Sequence, residues 1–138
     1  MHKNRVDKTI FSSLISAFWA RNVVIGGGGT IDGRGNVWWA AHKQHLLNYT
    51  RPRLLEPYTV TNVVIRDIDL RDSPFWTVHP YNCTNVRITN VRIINPSGSP
   101  NTDGIDPGLC LCRDLCVRSE LPLTFAAAVR TQTPPLMC

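Results

Sequence analysis

The residues best suited to chemistry lie in the stretch SPNTDGIDP, from Ser99 to Pro107. Asp103 and Asp106 are its two acids, set among turn formers. Carboxylates on a groove serve mainly to bind metals or to move protons. Calcium needs more oxygen ligands than this stretch offers, and the EF-hand spacing is absent. Hydrolysis of a glycoside needs two carboxyl groups flanking the scissile bond, one protonated and one ionised. In extended chain, side chains an odd number of residues apart point to opposite faces. Asp103 and Asp106 are therefore expected not to form such a pair by themselves. Gly104 leaves room for something to approach Asp103. By its own chemistry Asp103 is either a catalytic carboxylate or a turn-capping one.

Other polar clusters offer less. Trp38, Ala41, His42, His45 and Leu46 share one face of a possible helix, within an insertion from about Asn36 to Pro57. His42 and His45 lack the i, i+4 spacing and an evident third ligand, so packing or solvent exposure is expected rather than metal binding. The chain has 5 cysteines, an odd count that leaves at least one unpaired within the chain. The spacing of Cys110, Cys112 and Cys116 is not that of a structural zinc site. Neither a metal nor a cofactor is expected. The glycines of GGGGTIDGRG, Gly26–Gly35, match no phosphate-binding loop and are expected to make sharp turns. Asn48-Tyr49-Thr50 and Asn82-Cys83-Thr84 are glycan-accepting sequons if the chain is secreted.

The elements that must carry these residues are announced by a repeat. NVVI occurs at Asn22–Ile25 and Asn62–Ile65, and NVRI at Asn85–Ile88. The last two copies lie 23 residues apart, and the register continues, with Ile68 matching Val91 and Leu70 matching Ile93. Short alternating strands at this period, without a recurring helix, predict a β-solenoid. The fold class expected is all-β: a parallel β-helix of about three to four coils with a short helical insertion. Asn22, Asn62 and Asn85 precede equivalent strands, where their amides are expected to pair in a ladder. WTVHP at Trp76–Pro80 matches DGIDP at Asp103–Pro107 with an offset of 27. His79 and Asp106 are thus expected at equivalent places on successive coils.

Composition excludes some roles. The net charge of +5 is scattered, with no dense basic run and no visible ladder of aromatics interleaved with basic residues, so nucleic acid is not an expected partner. No stretch is long enough to span a membrane. Lys3, Arg5 and Lys8 precede TIFSSLISAFWA, which has the outline of a leader cleaved after Ala20. Its three serines and Phe18 argue against that, and FSSLISA also reads as a strand.

From about Ile10 to Pro107 the chain resembles the polygalacturonase-like proteins of glycoside hydrolase family 28, especially plant-type members. GTIDGRGNVWW, LNYTRPRLLE, DSPFWTVHPYNCTNVRI and SPNTDGIDP carry the likeness, in the right order. The resemblance implies a right-handed parallel β-helix, secretion to the cell wall, and inverting hydrolysis of α-1,4-galacturonosyl bonds in polygalacturonate, the acidic polymer of pectin. It implies that Asp103 activates water together with a second aspartate, and that Asn101 belongs to the same cleft motif. His79, on the groove-side strand, is a candidate substrate contact. The family's acid comes from an Asp pair after a glycine on the next coil; a Gly-His-Gly and an Arg-Ile-Lys follow. None of these occurs in the chain. Residues 1–107 are expected to form a partial β-helix acting as a monomer, and 108–138 an aberrant Cys- and Pro-rich tail without strand register. A truncated chain, inactive alone, is the expectation; a pectin-binding solenoid without catalysis and a fragment without function are the alternatives.

Overall fold

The computed structural model describes residues 10–119, with side chains from 10 to 111. The described residues form seven strands and one helix: β1 Ile15–Phe18, β2 Arg21–Gly26, β3 Thr30–Asp32, α1 Gly35–Lys43, β4 Leu55–Tyr58, β5 Thr61–Arg71, β6 Thr84–Ile94 and β7 Leu111–Ser119. Every strand pairing is parallel. One sheet runs β2-β5-β6-β7, with β3 also on β5; the second pairs β1 with β4 and is continued by bridges from Leu55 to Val78 and from Val78 to Ile105. This is a parallel β-helix, as the repeat predicts, and right-handed, as the resemblance implies.

The register matches the sequence alignment: Val63 lies beside Val86, Ile65 beside Ile88, Ile68 beside Val91 and Leu70 beside Ile93. Alternation turns these residues inward, where they are buried almost completely. Leu55, Val78 and Ile105 make a further inward column on the other sheet. A coil cannot bury this apolar edge alone, so each is stabilised by the coils above and below it.

The strands are bent by left-handed residues that recur on successive coils. Asn22, Asn62 and Asn85 have φ of 57, 62 and 57°. Their amides pair along the stack, Asn62 Nδ2 donating to Asn22 Oδ1 and Asn85 Nδ2 to Asn62 Oδ1, both at 2.8 Å. Asp67 and Asn90 form a second such corner, the Asn90 amide donating to Asp67 Oδ1 at 2.9 Å. Gly27, Gly28 and Gly29, with φ of 108, 89 and 88°, turn the first coil where the later ones use Asp67 and Asn90.

Two expectations are corrected. The helix ends at Lys43, and His45 takes a φ of 55°, so His45 does not continue the helical face of Trp38 and Ala41. Strand register does not stop at Pro107 either, because β7 pairs with β6. Cys112, Leu115 and Val117 fall opposite Val86, Ile88 and Val91, which keeps apolar residue types at those rungs. The pairing is irregular. Leu111 lies opposite Thr84 and Cys112 opposite Val86, so β7 has no counterpart of the corner residue Asn85, and the register shifts there.

Candidate active site

The fold aligns three coils more fully than the sequence comparison had. RLLEP at Arg53–Pro57, WTVHP at Trp76–Pro80 and DGIDP at Asp103–Pro107 are stacked rungs of one sheet. Leu54 N donates to Trp76 O at 3.1 Å and Thr77 N to Asp103 O at 2.9 Å, which fixes their order. With Leu55, Val78 and Ile105 pointing inward, Glu56, His79 and Asp106 form an outward column. The expected equivalence of His79 and Asp106 therefore holds. RLLEP escaped the sequence alignment because it shares only its final proline with the other two.

His79 is buried, and its Nδ1 lies 2.5 Å from the backbone oxygen of Asp106 and 3.9 Å from Asp106 Oδ2. A carbonyl only accepts, so Nδ1 carries the proton. Burial pushes the Asp106 carboxyl above the ordinary carboxylate range; the Asp103 charge adds to this and Arg53 opposes it. Asp103 is thus near enough to act on Asp106. The backbone between the two acids bends at Gly104, so the stretch is not the extended chain of the expectation. Glu56, also buried, accepts from Ser13 Oγ at 2.5 Å and from Arg53 Nη1 at 2.7 Å.

The loop before Asp103 is tied down from behind. Asn95 Nδ2 donates to Thr102 O and to Thr77 Oγ1, both at 3.0 Å, while its oxygen accepts from Ser73 N at 2.8 Å. Arg51 Nη1 donates to Pro74 O and Pro100 O at 2.8 Å each, joining three coils. Asn101 is exposed and lines an open cleft of about 550 Å³ with His42, His45, Asn48, Arg51 and Phe75. The structure thus groups Asp103, Asp106 and His79 on adjoining rungs and sets Asn101 at the neighbouring cleft. Of the two sequons, Asn48 is exposed on this cleft, and Asn82 is an exposed corner residue whose amide donates to Thr59 Oγ1 at 3.2 Å.

The model of the glycosyl hydrolases family 28 matches residues 3–112, most of the chain. The chain belongs to glycosyl hydrolases family 28. A probable polygalacturonase of Vitis vinifera is 42% identical over 101 residues, covering 72% of this chain and 21% of the relative. Polygalacturonase-2 of Solanum lycopersicum is 33% identical over 88 residues, or 62% of this chain and 19% of that one. This family 28 chain therefore spans about a fifth of the curated relatives it matches. Among solved structures, polygalacturonase from Erwinia carotovora is similar with a TM-score of 0.64 and 26% identity, over 81% of this chain and 36% of that one. An exopolygalacturonase from Thermotoga maritima shares the fold at a TM-score of 0.65 and 23% identity, over 80% and 33% of the two chains.

Aromatic side chains were the feature missed by sequence reading. Phe18, Tyr58 and Tyr81 occupy one column; the Tyr58 and Tyr81 rings are stacked with centroids 5.2 Å apart, and Phe18 lies 5.9 Å from Tyr58. Arg53 lies over Trp76 at 5.1 Å and Arg51 over Phe75 at 5.0 Å. A ladder of aromatics therefore exists, with the basic partners on the neighbouring rings Trp76 and Phe75 rather than interleaved within it. Its members are a coil apart in sequence, so no linear window holds them together; the coil period applied to Tyr58 and Tyr81 was the available signal. Among the described residues, no helix is long and apolar enough to cross a membrane.

Proposed function

We propose that the chain forms the first coils of a secreted enzyme groove that hydrolyses polygalacturonate, with Asp103 as a water-activating carboxylate and Asn101 as a substrate contact. Membership of family 28, with polygalacturonases among the relatives, carries the reading. The site chemistry supports it. Asp103 acts by its charge on a second acid, Asp106, whose affinity for protons is raised, and it follows a loop braced by Asn95. His79 supports the Asp106 backbone, so its contribution to substrate binding acts through that rung.

Inversion requires an acid to protonate the leaving oxygen as well as a base to activate water. The 138-residue sequence has no adjacent pair of aspartates, no histidine between glycines and no Arg-Ile-Lys. Acid–base assistance is worth roughly 10²–10⁴-fold. The 138-residue polypeptide alone is therefore expected to release negligible reducing sugar from polygalacturonate.

A chimera tests the site assignment. Residues 10–107 are placed ahead of the later coils of the Vitis vinifera relative, and reducing-sugar release is measured. The expected result is hydrolysis of polygalacturonate that falls by about 10²–10⁴-fold in Asp103→Asn. Undiminished release in that variant sinks the role of Asp103, and a folded chimera inert on polygalacturonate sinks the substrate.

A further inference from the structure

The rings on the groove face form one continuous path. It runs from Trp19 to Tyr58 at 6.0 Å, to Tyr81 at 5.2 Å, to His79 at 6.0 Å, to Trp76 at 4.9 Å and to Phe75 at 4.7 Å. Phe75 lines the cleft that holds Asn101. The path climbs three coils beside the Glu56, His79 and Asp106 column. Its two ends differ. The inner rings, Trp76 and Phe75, are covered by the guanidinium groups of Arg53 and Arg51. The outer rings are more open: Trp19 is 54% exposed, and Tyr58 and Tyr81 are half-buried.

We propose that Trp19, Tyr58 and Tyr81 form a binding platform for successive units of a uronic-acid polysaccharide, leading it along the solenoid axis to Asp103. The proposal deepens the polygalacturonate reading and rests on it. Three observations carry it. Tyr58 and Tyr81 lie 12° from parallel, so they present ring edges to the groove, and neither hydroxyl makes a hydrogen bond among the described residues. A linear polymer with oxygens at every unit meets such repeated donors once per rung, whereas a small ligand would use one. Trp19 stands 72° from Tyr58 and supplies the exposed apolar ring surface on which the C–H face of a sugar packs.

The third observation is how the platform ends. Gly108 takes the next place in the tyrosine column, and a Cβ built there would lie 2.6 Å from Tyr81 Cδ2. The column thus stops without a side chain beside Asp106, leaving the path open towards the acids. The site is continuous with the Asp103 groove, and the net charge of +5 favours an acidic polymer over a neutral one.

The test is binding of oligogalacturonate to the 138-residue polypeptide, by calorimetry and by tryptophan fluorescence. Tyr58→Phe and Tyr81→Phe keep the stacked rings and remove the hydroxyls. Each is expected to weaken binding about three- to tenfold. Trp19→Ala, at an exposed site, is expected to weaken it about tenfold. Val24→Ala, 60% exposed on β2 and away from the groove, is the control and is expected to bind as the parent does. Parent-like binding by all three platform variants overturns the proposal and leaves the polygalacturonate reading standing. A parent chain that binds no oligogalacturonate also overturns it, while the chimera separately decides the catalytic reading. Tighter binding of oligo(dT), which aromatic and basic surfaces also attract, overturns it in favour of single-stranded nucleic acid.

Discussion

At the residue scale, the acids of SPNTDGIDP derive their character from their neighbours. Asp106 has a raised affinity for protons because burial and the Asp103 charge both disfavour its ionised form. Its contribution to stability is therefore full below the ordinary carboxylate range and is lost as pH rises through its folded-state value. Replacement Asp106→Asn removes that loss. Thermal melts of the two proteins are expected to show the variant gaining relative to the parent between pH 4 and pH 7; a difference that stays constant over this range contradicts the assignment. Half-buried Asp67 and Asp69 have the opposite sign, held down by hydrogen bonds from Asn90 and Arg92, and they weaken the fold on acidification. The variant comparison cancels their contribution. A second residue-level consequence concerns Gly108, where any side chain meets the Tyr81 ring. Gly108→Ala is expected to displace that ring and to weaken oligogalacturonate binding about as much as Tyr81→Phe does, measured in the same titration. The buried thiols of Cys83 and Cys110 also adjoin, Cys83 N donating to Cys110 Sγ at 3.2 Å. The hydrogen bond with Cys110 and burial hold the Cys83 thiol well above its usual value, so it stays protonated at neutral pH.

At the element scale, the corners set the register. Asn62 is the middle member of its ladder, giving one hydrogen bond and receiving another, at a left-handed backbone position. Asn62→Ala loses both bonds and the tolerance of the left-handed conformation that asparagine has and alanine lacks, at a combined cost of about 1–3 kcal/mol. Asn62→Gly retains the backbone freedom and is expected to lie between the parent and the alanine variant in urea unfolding. If alanine and glycine are equally destabilising, the backbone contributes nothing. This ladder was legible in the sequence, because Asn recurs in step with Val and Ile at one period. The continuation through β7 was not. Leu111 and Cys112 skip the Asn85 position, so a search for a repeated Asn-Val step finds nothing there, although the following residue types still fit the rungs. The bend at Gly104 was also hidden, since an extended reading of Asp103–Asp106 puts the two acids apart. Local pattern shows periodic burial well, but it does not show which side chains a coil return brings together.

At the scale of the molecule, stability in a solenoid is a chain of nearest-neighbour terms. β5 is held on both sides, by β2 and β3 below and by β6 above, whereas β2 pairs only with β5 among the described residues. Val63, Ile65 and Leu70 of β5 are fully buried, while Val23 and Ile25, their inward counterparts on β2, are only half-buried. The inner coils should therefore open only with the whole array, and the first coil should open locally at lower free energy. Hydrogen exchange resolved by residue is expected to show the slowest amides at Val63–Ile65 and Val86–Ile88, and faster exchange at Val23–Ile25. A core truncation sharpens the comparison. Ile65→Val removes one methylene from the stacked column and is expected to cost about 0.5–1.5 kcal/mol. If β5 and β6 open together, that cost should accelerate exchange in both strands by the same factor. Acceleration confined to β5 would mean that the coils open separately, and the groove face that depends on their register would then be a fluctuating surface rather than a fixed one.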